Sequence, residues 1–331
     1  MQTTDNTKAG SPDTPRALDG IRILDLTWVR AGPWATRLLG ALGAEVIKTE
    51  WPAPGSGHYN DRMSNEHRGS QEETAKLNDN YWNSERNVNK KGITLNVVSP
   101  AGRDLFTRLL KVSDVLIENY RSGVLERWGF GYDAIAKINP NIIYVSLSSL
   151  GNLGRNKAYG GNGPTHQALS GLTHLSGLPD APPAGWGWSY MDDTGGMYGA
   201  MCVLAALHHR DVTGKGQYVD LSQVGAGILC TGTAVLDSTI NHRATSRPGY
   251  PPGNRAHWPG TPLLNNYRGP TVAPHNSYRT KGDGYNDWCV VACFSDEEWR
   301  SLVQVMGDPA WAVEPRFNTL PGRIKHQEEM D

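Results

Sequence analysis

From residue 18 onward the chain alternates two rhythms of apolar and polar positions. IRILDLT (21–27) is a branched, apolar run of strand length, and PWATRLLGALG (33–43) opens on proline and repeats apolar residues at helical spacing. EVIKTE (45–50) returns to the strand pattern. A polar insert from Trp51 to Asn87 interrupts the rhythm. It resumes with ITLNV (93–97), the helical SPAGRDLFTRLLKVS (99–113), DVLIENY (114–120), the short helical YDAIAKINP (132–140) and IIYVSLSS (142–149). Short buried strands separated by helices predict an α/β fold, a Rossmann-like, doubly wound parallel sheet.

Residues 151–190 are rich in glycine, proline and aromatic rings without a sustained period, and predict a long functional loop. The loop leads into MDDTGGMYGAMCVLAALHHR (191–210), a helix of small and apolar residues. The turn DVTGKGQ (211–217), the strand YVDLS (218–222) and an apolar helix over 224–240 follow. The Pro/Gly-rich stretch 247–274 reads as a linker or lid. Beyond it, NSYRTKGDGYNDWCVVACFS (276–295) predicts a hairpin around KGDG, and DEEWRSLVQVMG (296–307) an amphipathic helix. The expected organisation is a flexible tail over 1–17, a large domain over 18–245, a linker or lid over 246–274 and a smaller α+β domain over 275–331. The ending RIKHQEEMD reads as the opening of a helix, so the small domain is expected to be incomplete at its C-terminal side.

A chain of 331 residues has room for two cores, and its 32 basic and 33 acidic residues leave a net charge of −1. That balance argues against bulk attraction to nucleic acid or to a membrane surface, so an anionic ligand needs a local patch. The four cysteines contain no CxxC, which argues against a zinc site or a disulfide framework. No apolar run is long enough to span a bilayer and the N-terminus is polar, so the expected location is cytoplasmic.

Candidate chemistry centres on Asp192 and Asp193, ahead of Gly195 and Gly196 at a helix start. Asp is a favoured helix cap and its charge suits a helix N-terminus, which accounts for one acid; the second is either solvated or poised for chemistry. His166, in NGPTHQALSG, is either a solvated loop residue or an acid–base group. The WGWSYM cluster before Asp192 either packs the loop or walls an acyl pocket. Arg30, Lys48, Lys90, Lys91, Arg121 and Arg127 fall near predicted strand ends, where an open α/β sheet binds ligands. GFGYDA (129–134) satisfies GxGxxA formally but follows a helix rather than a first strand. TGKG (213–216) lacks the full Walker spacing. No metal site is expected.

LDGIRILDLTWVRAGPWATRLLGALGAEVIKTEWPAPGSG, ERNVNKKGITLNV, DVLIENYRSGVLERWGFGYD, INPNIIYVSLSSLG, HQALSGL and DVTGKGQYVDLS occur in this order. Together they resemble the family III coenzyme A transferases, whose branches include formyl-CoA transferase, the carnitine-pathway CoA-transferases and the α-methylacyl-CoA racemases. The resemblance runs from about Leu18 to the end. It implies transfer of CoA from an acyl-CoA to a carboxylic acid through an aspartyl anhydride and an aspartyl-CoA thioester. The nucleophile maps to Asp192, with Gly195, Gly196, Arg30 and His166 supporting it and helix-end N–H groups steadying an oxyanion. CoA contacts map to Val29 and Ala31 after the first strand, Leu95 near the adenine, and Asn119, Tyr120, Arg127 and Trp128. The CoA thioester enters as substrate, with no tightly bound cofactor. Partners implied are acyl-CoA and carboxylic acids, in an interlocked homodimer or as one subunit of a heteromeric transferase.

The chain departs from the family pattern at several places. Arg30 stands where formyl-CoA transferase has glutamine, Trp51 where it has arginine, and GPTVAPHN where it has a glycine-rich small-domain loop. The racemase branch carries an acid–base histidine at the position of Asn162, and asparagine exchanges no proton near neutrality. An acyl-CoA racemase or isomerase of the same fold, and a non-catalytic acyl-CoA-binding subunit, are the alternatives to transfer.

Overall fold

The structure is a computed structural model that describes residues 15–51, 81–176, 183, 185–187, 189–242, 272–282, 284 and 287–331. The chain gathers into two units, residues 1–176 with 183–232 and residues 177–182 with 233–331. Most of the expected tail, most of the insert 51–87 and nearly all of the expected linker or lid lie outside the described residues.

The first unit is built on six parallel strands: β1 (Arg22–Asp25), β2 (Glu45–Glu50), β3 (Lys90–Thr94), β4 (Val115–Glu118), β5 (Ile143–Ser148) and β6 (Gln217–Ser222). Their order is β3-β2-β1-β4-β5-β6, so the sheet is doubly wound and its direction of winding reverses between β1 and β4. Alternate side chains face opposite layers, as the pleat requires. Ile23, Val115, Ile117, Ile143 and Val145 pack against α1 (Ala31–Ala41) and against Ala200, Val203, Ala206 and Leu207, while Leu24, Leu116 and Tyr144 join a second cluster with Phe106 and Leu110 of α3 (Pro100–Lys111). Burial on both faces explains why these strands read as unbroken apolar runs.

Four features differ from the sequence expectation. The third strand starts at Lys90 rather than Ile93, because the Lys90 ammonium is buried 3.2 Å from Asp25 and the lysine belongs inside. After the short helices α2 (Tyr81–Arg86), α4 (Val124–Arg127) and α5 (Tyr132–Ile138), the expected loop 151–190 contains α6 (Gly163–Leu169) and α7 (Leu172–Leu175). Asn162 caps α6, its side chain accepting from Thr165 N–H at 3.2 Å, and two turns are too short to show a period. Next, α8 (Tyr190–Thr213) is capped at Ser189, so Asp192 and Asp193 are not caps but residues within the first turn. Finally, the helix expected over 224–240 is two: α9 (Gln223–Cys230) and α10 (Gly232–Asn241) meet at Thr231, whose hydroxyl donates to Ile228 O at 2.7 Å.

Glycines set how closely α8 packs. A methyl on Gly196 would stand 2.6 Å from Ala31 O, and one on Gly199 would stand 3.1 Å from Leu147, so α8 lies against α1 and β5 at a separation only glycine permits.

The second unit carries the antiparallel hairpin β7 (His275–Arg279) and β8 (Trp288–Ala292), the helix α11 (Asp296–Val305) capped by Ser295, a single 3₁₀ turn at Pro315–Phe317, α12 (Leu320–Lys325) and α13 (Gln327–Met330). Trp299, Val303 and Phe317 form its core around the fully buried Arg323. That guanidinium donates to Ala273 O, Phe317 O and Ser295 O at 2.9, 3.0 and 3.1 Å and pairs with Asp296 at 3.0 Å. A buried guanidinium is tolerated because each edge finds an acceptor.

Candidate active site

Doubly wound sheets leave a crevice beyond the strand ends where the winding reverses. Here that point lies between β1 and β4, and the residues after the two strands are tied together. Asn119 accepts from Trp28 N–H and donates to Trp28 O, both at 2.9 Å. The brace holds the β1–α1 turn, in which Val29 adopts φ +60°, a strained value for a β-branched residue. Beneath the turn, buried Asp25 accepts from the Thr27 and Thr36 hydroxyls at 2.5 and 2.6 Å and faces Lys90 and Lys48 at 3.2 and 3.9 Å. Burial pushes the Asp25 carboxyl up, but the two ammoniums and two hydroxyls outweigh it and bring it down to about 2. Lys48 and Lys90 are therefore anchors of the fold, not solvent-facing ligand cations.

Two cavities open at the strand ends and share Trp28 and Tyr120. One, of about 230 Å³, is an apolar slot whose walls include Leu26, Trp51, Leu95 and Trp128. The other, of about 280 Å³, is lined by polar groups, among them Ser148, Ser149, Asn162 and Gln223, and reaches the Asp192 carboxylate. Val29, Arg30, Ala31 and Arg121 also border it. Tyr120 divides the two, stacked on Trp28 and edge-on to Trp128 with ring centres 6.4 and 5.3 Å away. Its N–H donates to Glu118 at 2.7 Å.

Asp192 meets the cavity from the first turn of α8. Gly163 N–H donates to its Oδ2 at 3.2 Å, and a methyl on Gly163 would stand 2.8 Å from the same oxygen. Burial pushes this carboxyl up to about 6, with the Asp193 charge adding to the rise and Gly163 N–H, Arg30 and Arg86 opposing it. Desolvation therefore outweighs the helix end in setting where this carboxyl titrates, and near pH 7 it is still mostly ionised. The neighbouring Asp193 takes the Arg30 guanidinium edge-on, with Nε–Oδ1 2.6 Å and Nη2–Oδ2 2.9 Å.

Several expected site residues land elsewhere than anticipated. His166 is not in a loop: it is buried in α6, its Nε2 lies 2.8 Å from Ser149 Oγ, and burial pushes it down to about 4, so it is neutral near pH 7. Gly195 and Gly196 sit past the residues whose N–H groups a helix leaves open, so their amides are not oxyanion donors and their place is in packing. Ala31 begins α1, where the helix supplies no partner for its N–H, and is among the residues lining the cavity. Leu95, Tyr120 and Trp128 line the apolar slot; Arg127 is exposed and borders neither cavity. Lys91 pairs with Glu45 at the surface, and Trp186 packs edge-on to Tyr190. Gly163, Ser148, Ser149, Gln223 and Asp25 were missed, although Ser148, Gln223 and Asp25 all fall at C-terminal strand ends, the rule used for the basic residues.

The description "CoA-transferase family III" matches residues 18–331. The chain belongs to CoA-transferase family III. The transferase is 35% identical over 318 residues to succinyl-CoA–D-citramalate CoA-transferase of Chloroflexus aurantiacus, covering 96% of this chain and 71% of that one. It is 32% identical over 319 residues to the β subunit of succinyl-CoA–L-malate CoA-transferase of the same organism, covering 96% and 72%. A crystal structure of a CaiB/BaiF family protein from Brucella suis superposes with a TM-score of 0.73 at 26% identity, covering 96% of this chain and 76% of the other. The transferase is an enzyme that moves CoA from an acyl-CoA to a carboxylate. Among its described residues no helix is long and apolar enough to cross a membrane.

Proposed function

We propose that the transfer runs through covalent intermediates on Asp192. The observation that carries this reading is the half-buried Asp192 carboxylate at the wall of the polar cavity, held by one backbone N–H and adjoining an apolar slot at the sheet's switch point. CoA lies along the slot past Leu95, Trp128 and Tyr120, with its thioester entering the polar cavity. An Asp192 oxygen attacks the thioester carbonyl, and the C–S bond breaks to give a mixed anhydride and CoA thiolate. The thiolate attacks the Asp192 acyl carbon and expels the donor acid, leaving an aspartyl-CoA thioester. The acceptor carboxylate attacks that carbon, and the released thiolate then takes the acceptor acyl group and restores Asp192. Desolvation raises the basicity of Asp192 and thereby its nucleophilicity, and the N–H of Ala31 at the start of α1 is proposed as a donor to the oxyanion.

Racemisation finds little support in the same site. Asn162 is the α6 cap and is neither acid nor base near neutrality, and His166, pushed down to about 4 with its Nε2 2.8 Å from Ser149 Oγ, is a weak base outside the lining of both cavities. The acid exchanged is proposed to be a short dicarboxylate, as in the names of both Chloroflexus relatives, with Arg121 at the polar cavity available to its second carboxylate. The enzyme is proposed to act in the cytoplasm as an assembly of at least two chains, homomeric or with a second subunit; native mass spectrometry reads out the assembly.

The covalent scheme is tested by incubating the protein with acyl-CoA and hydroxylamine, then mapping the modified peptide. Modification within 191–196 supports it. A donor acid that exchanges while 191–196 stays unmodified overturns it.

A further inference from the structure

Asp193 has no step in the covalent scheme, yet it is the better paired of the two adjacent acids. Arg30 grips both of its oxygens at 2.6 and 2.9 Å, whereas Asp192 accepts one N–H at 3.2 Å and makes no ion pair among the described residues. Both acids occupy the first turn of α8, and Arg30, buried at the start of α1, acts electrostatically on both. A guanidinium fork binds a carboxylate bidentately. An acid held that way has its lone pairs directed into hydrogen bonds with the guanidinium rather than toward a substrate.

We propose that Asp193 is a positioning residue: it captures the Arg30 fork and so leaves the adjacent Asp192 carboxylate open to attack the thioester. The inference rests on Asp192 being the nucleophile. It also gives Arg30 a place in the site distinct from substrate binding, with its Nη1 3.8 Å from Glu85. The charged and titratable groups around Asp192 are Asp193 on its own helix, Arg30 before α1, Glu85 and Arg86 on α2, and the neutral His166 on α6; Gln223 of α9 adds no charge. Asp193 raises the Asp192 pKa and Arg30 lowers it. Removing Asp193 acts twice in one direction, by deleting a negative neighbour and by releasing Arg30 onto Asp192.

The test is the pH dependence of kcat for the wild type, D193N, D193E, R30Q and the D193N/R30Q double variant, with adduct mapping for each. In D193N the acidic limb moves to lower pH by about one unit and the plateau falls about 10- to 100-fold. R30Q moves the limb upward. D193E, which can keep the fork, holds the limb at its wild-type position. The double variant is faster than D193N, because no fork remains to clamp Asp192. A limb unmoved in D193N, or a double variant no faster than D193N, makes the pair a structural staple and overturns the proposal. That failure is distinct from failure of the nucleophile reading, which shows as a wild-type adduct outside 191–196. Should D193N not fold, D193E and the double variant against R30Q still decide the question.

Discussion

Asp25 at the end of β1 and Asp192 in the first turn of α8 are carboxylates withdrawn from bulk water in the same unit, and their surroundings drive them in opposite directions. Asp25 is wholly buried, yet two ammoniums and two hydroxyls bring it down to about 2. Asp192 is less buried, but with one N–H at 3.2 Å and its neighbouring arginine engaged by Asp193, it rises to about 6. Depth of burial does not separate the two; the number of groups aimed at the charge does. A fully satisfied carboxylate anchors a turn, while an undersatisfied one keeps the basicity that nucleophilic attack requires.

The sharpest way to break the comparison is Asp192→Asn. Turnover is expected to fall roughly 10⁴-fold, because the amide cannot form the anhydride. Stability at pH 7 is expected to rise by on the order of 1 kcal/mol, since a poorly compensated charge is gone. Steady-state kinetics and urea unfolding on the same preparation decide it: substantial residual exchange removes Asp192 from the nucleophile role.

Asp25→Asn is expected to do the reverse. It leaves Lys90 and Lys48 buried beside a neutral group and lowers stability by about 3–5 kcal/mol. Thermal melting measures this, and activity follows the folded fraction. A melting temperature equal to the wild type's shows that the cations do not depend on Asp25.

Gly163→Ala probes how Asp192 is held. The added methyl stands 2.8 Å from Asp192 Oδ2 and 3.1 Å from Ser189 Cα, so the carboxylate must shift. Overpacking of this kind costs about 1–3 kcal/mol, expected here as a 10- to 100-fold loss in kcat. Unchanged kcat means that the 3.2 Å contact does not orient the nucleophile.

Much of this contrast was legible in the residues themselves. β1, β4 and β5 showed as largely apolar runs because sheets covered on both faces have no regular polar alternation to hide them. Asp192 stood out through the glycine pair behind it and through the family resemblance. Lys90 and His166 also stood out, but their burial and actual roles were not legible, because each is buried by partners distant along the chain: Asp25 lies 65 positions before Lys90, and Ser149 lies 17 before His166. A lysine or histidine near a strand end reads as solvated until the charge or hydroxyl that accepts it is known. Gly163 was hidden for the same reason, since its role is defined by an oxygen 29 positions away.

The smallest expected effect is also the most diagnostic, because it depends on sign. An unfolded aspartate titrates near about 3.9. Asp192 in the fold titrates at about 6, so between roughly pH 4 and 6 the folded chain holds a proton that the unfolded chain has lost, and this group's contribution to stability falls as pH rises through that window. Asp25, at about 2 in the fold, contributes stability above its unfolded value that disappears only as pH drops through about 2. Urea midpoints between pH 4.5 and 7.5 separate the two. The gap between Asp192→Asn and the wild type widens with rising pH to on the order of 1 kcal/mol, with solvent screening limiting it, whereas the gap for Asp25→Asn stays nearly level. A level Asp192→Asn gap means that desolvation does not raise this carboxyl, and the physical basis for preferring it over Asp193 as nucleophile goes with it.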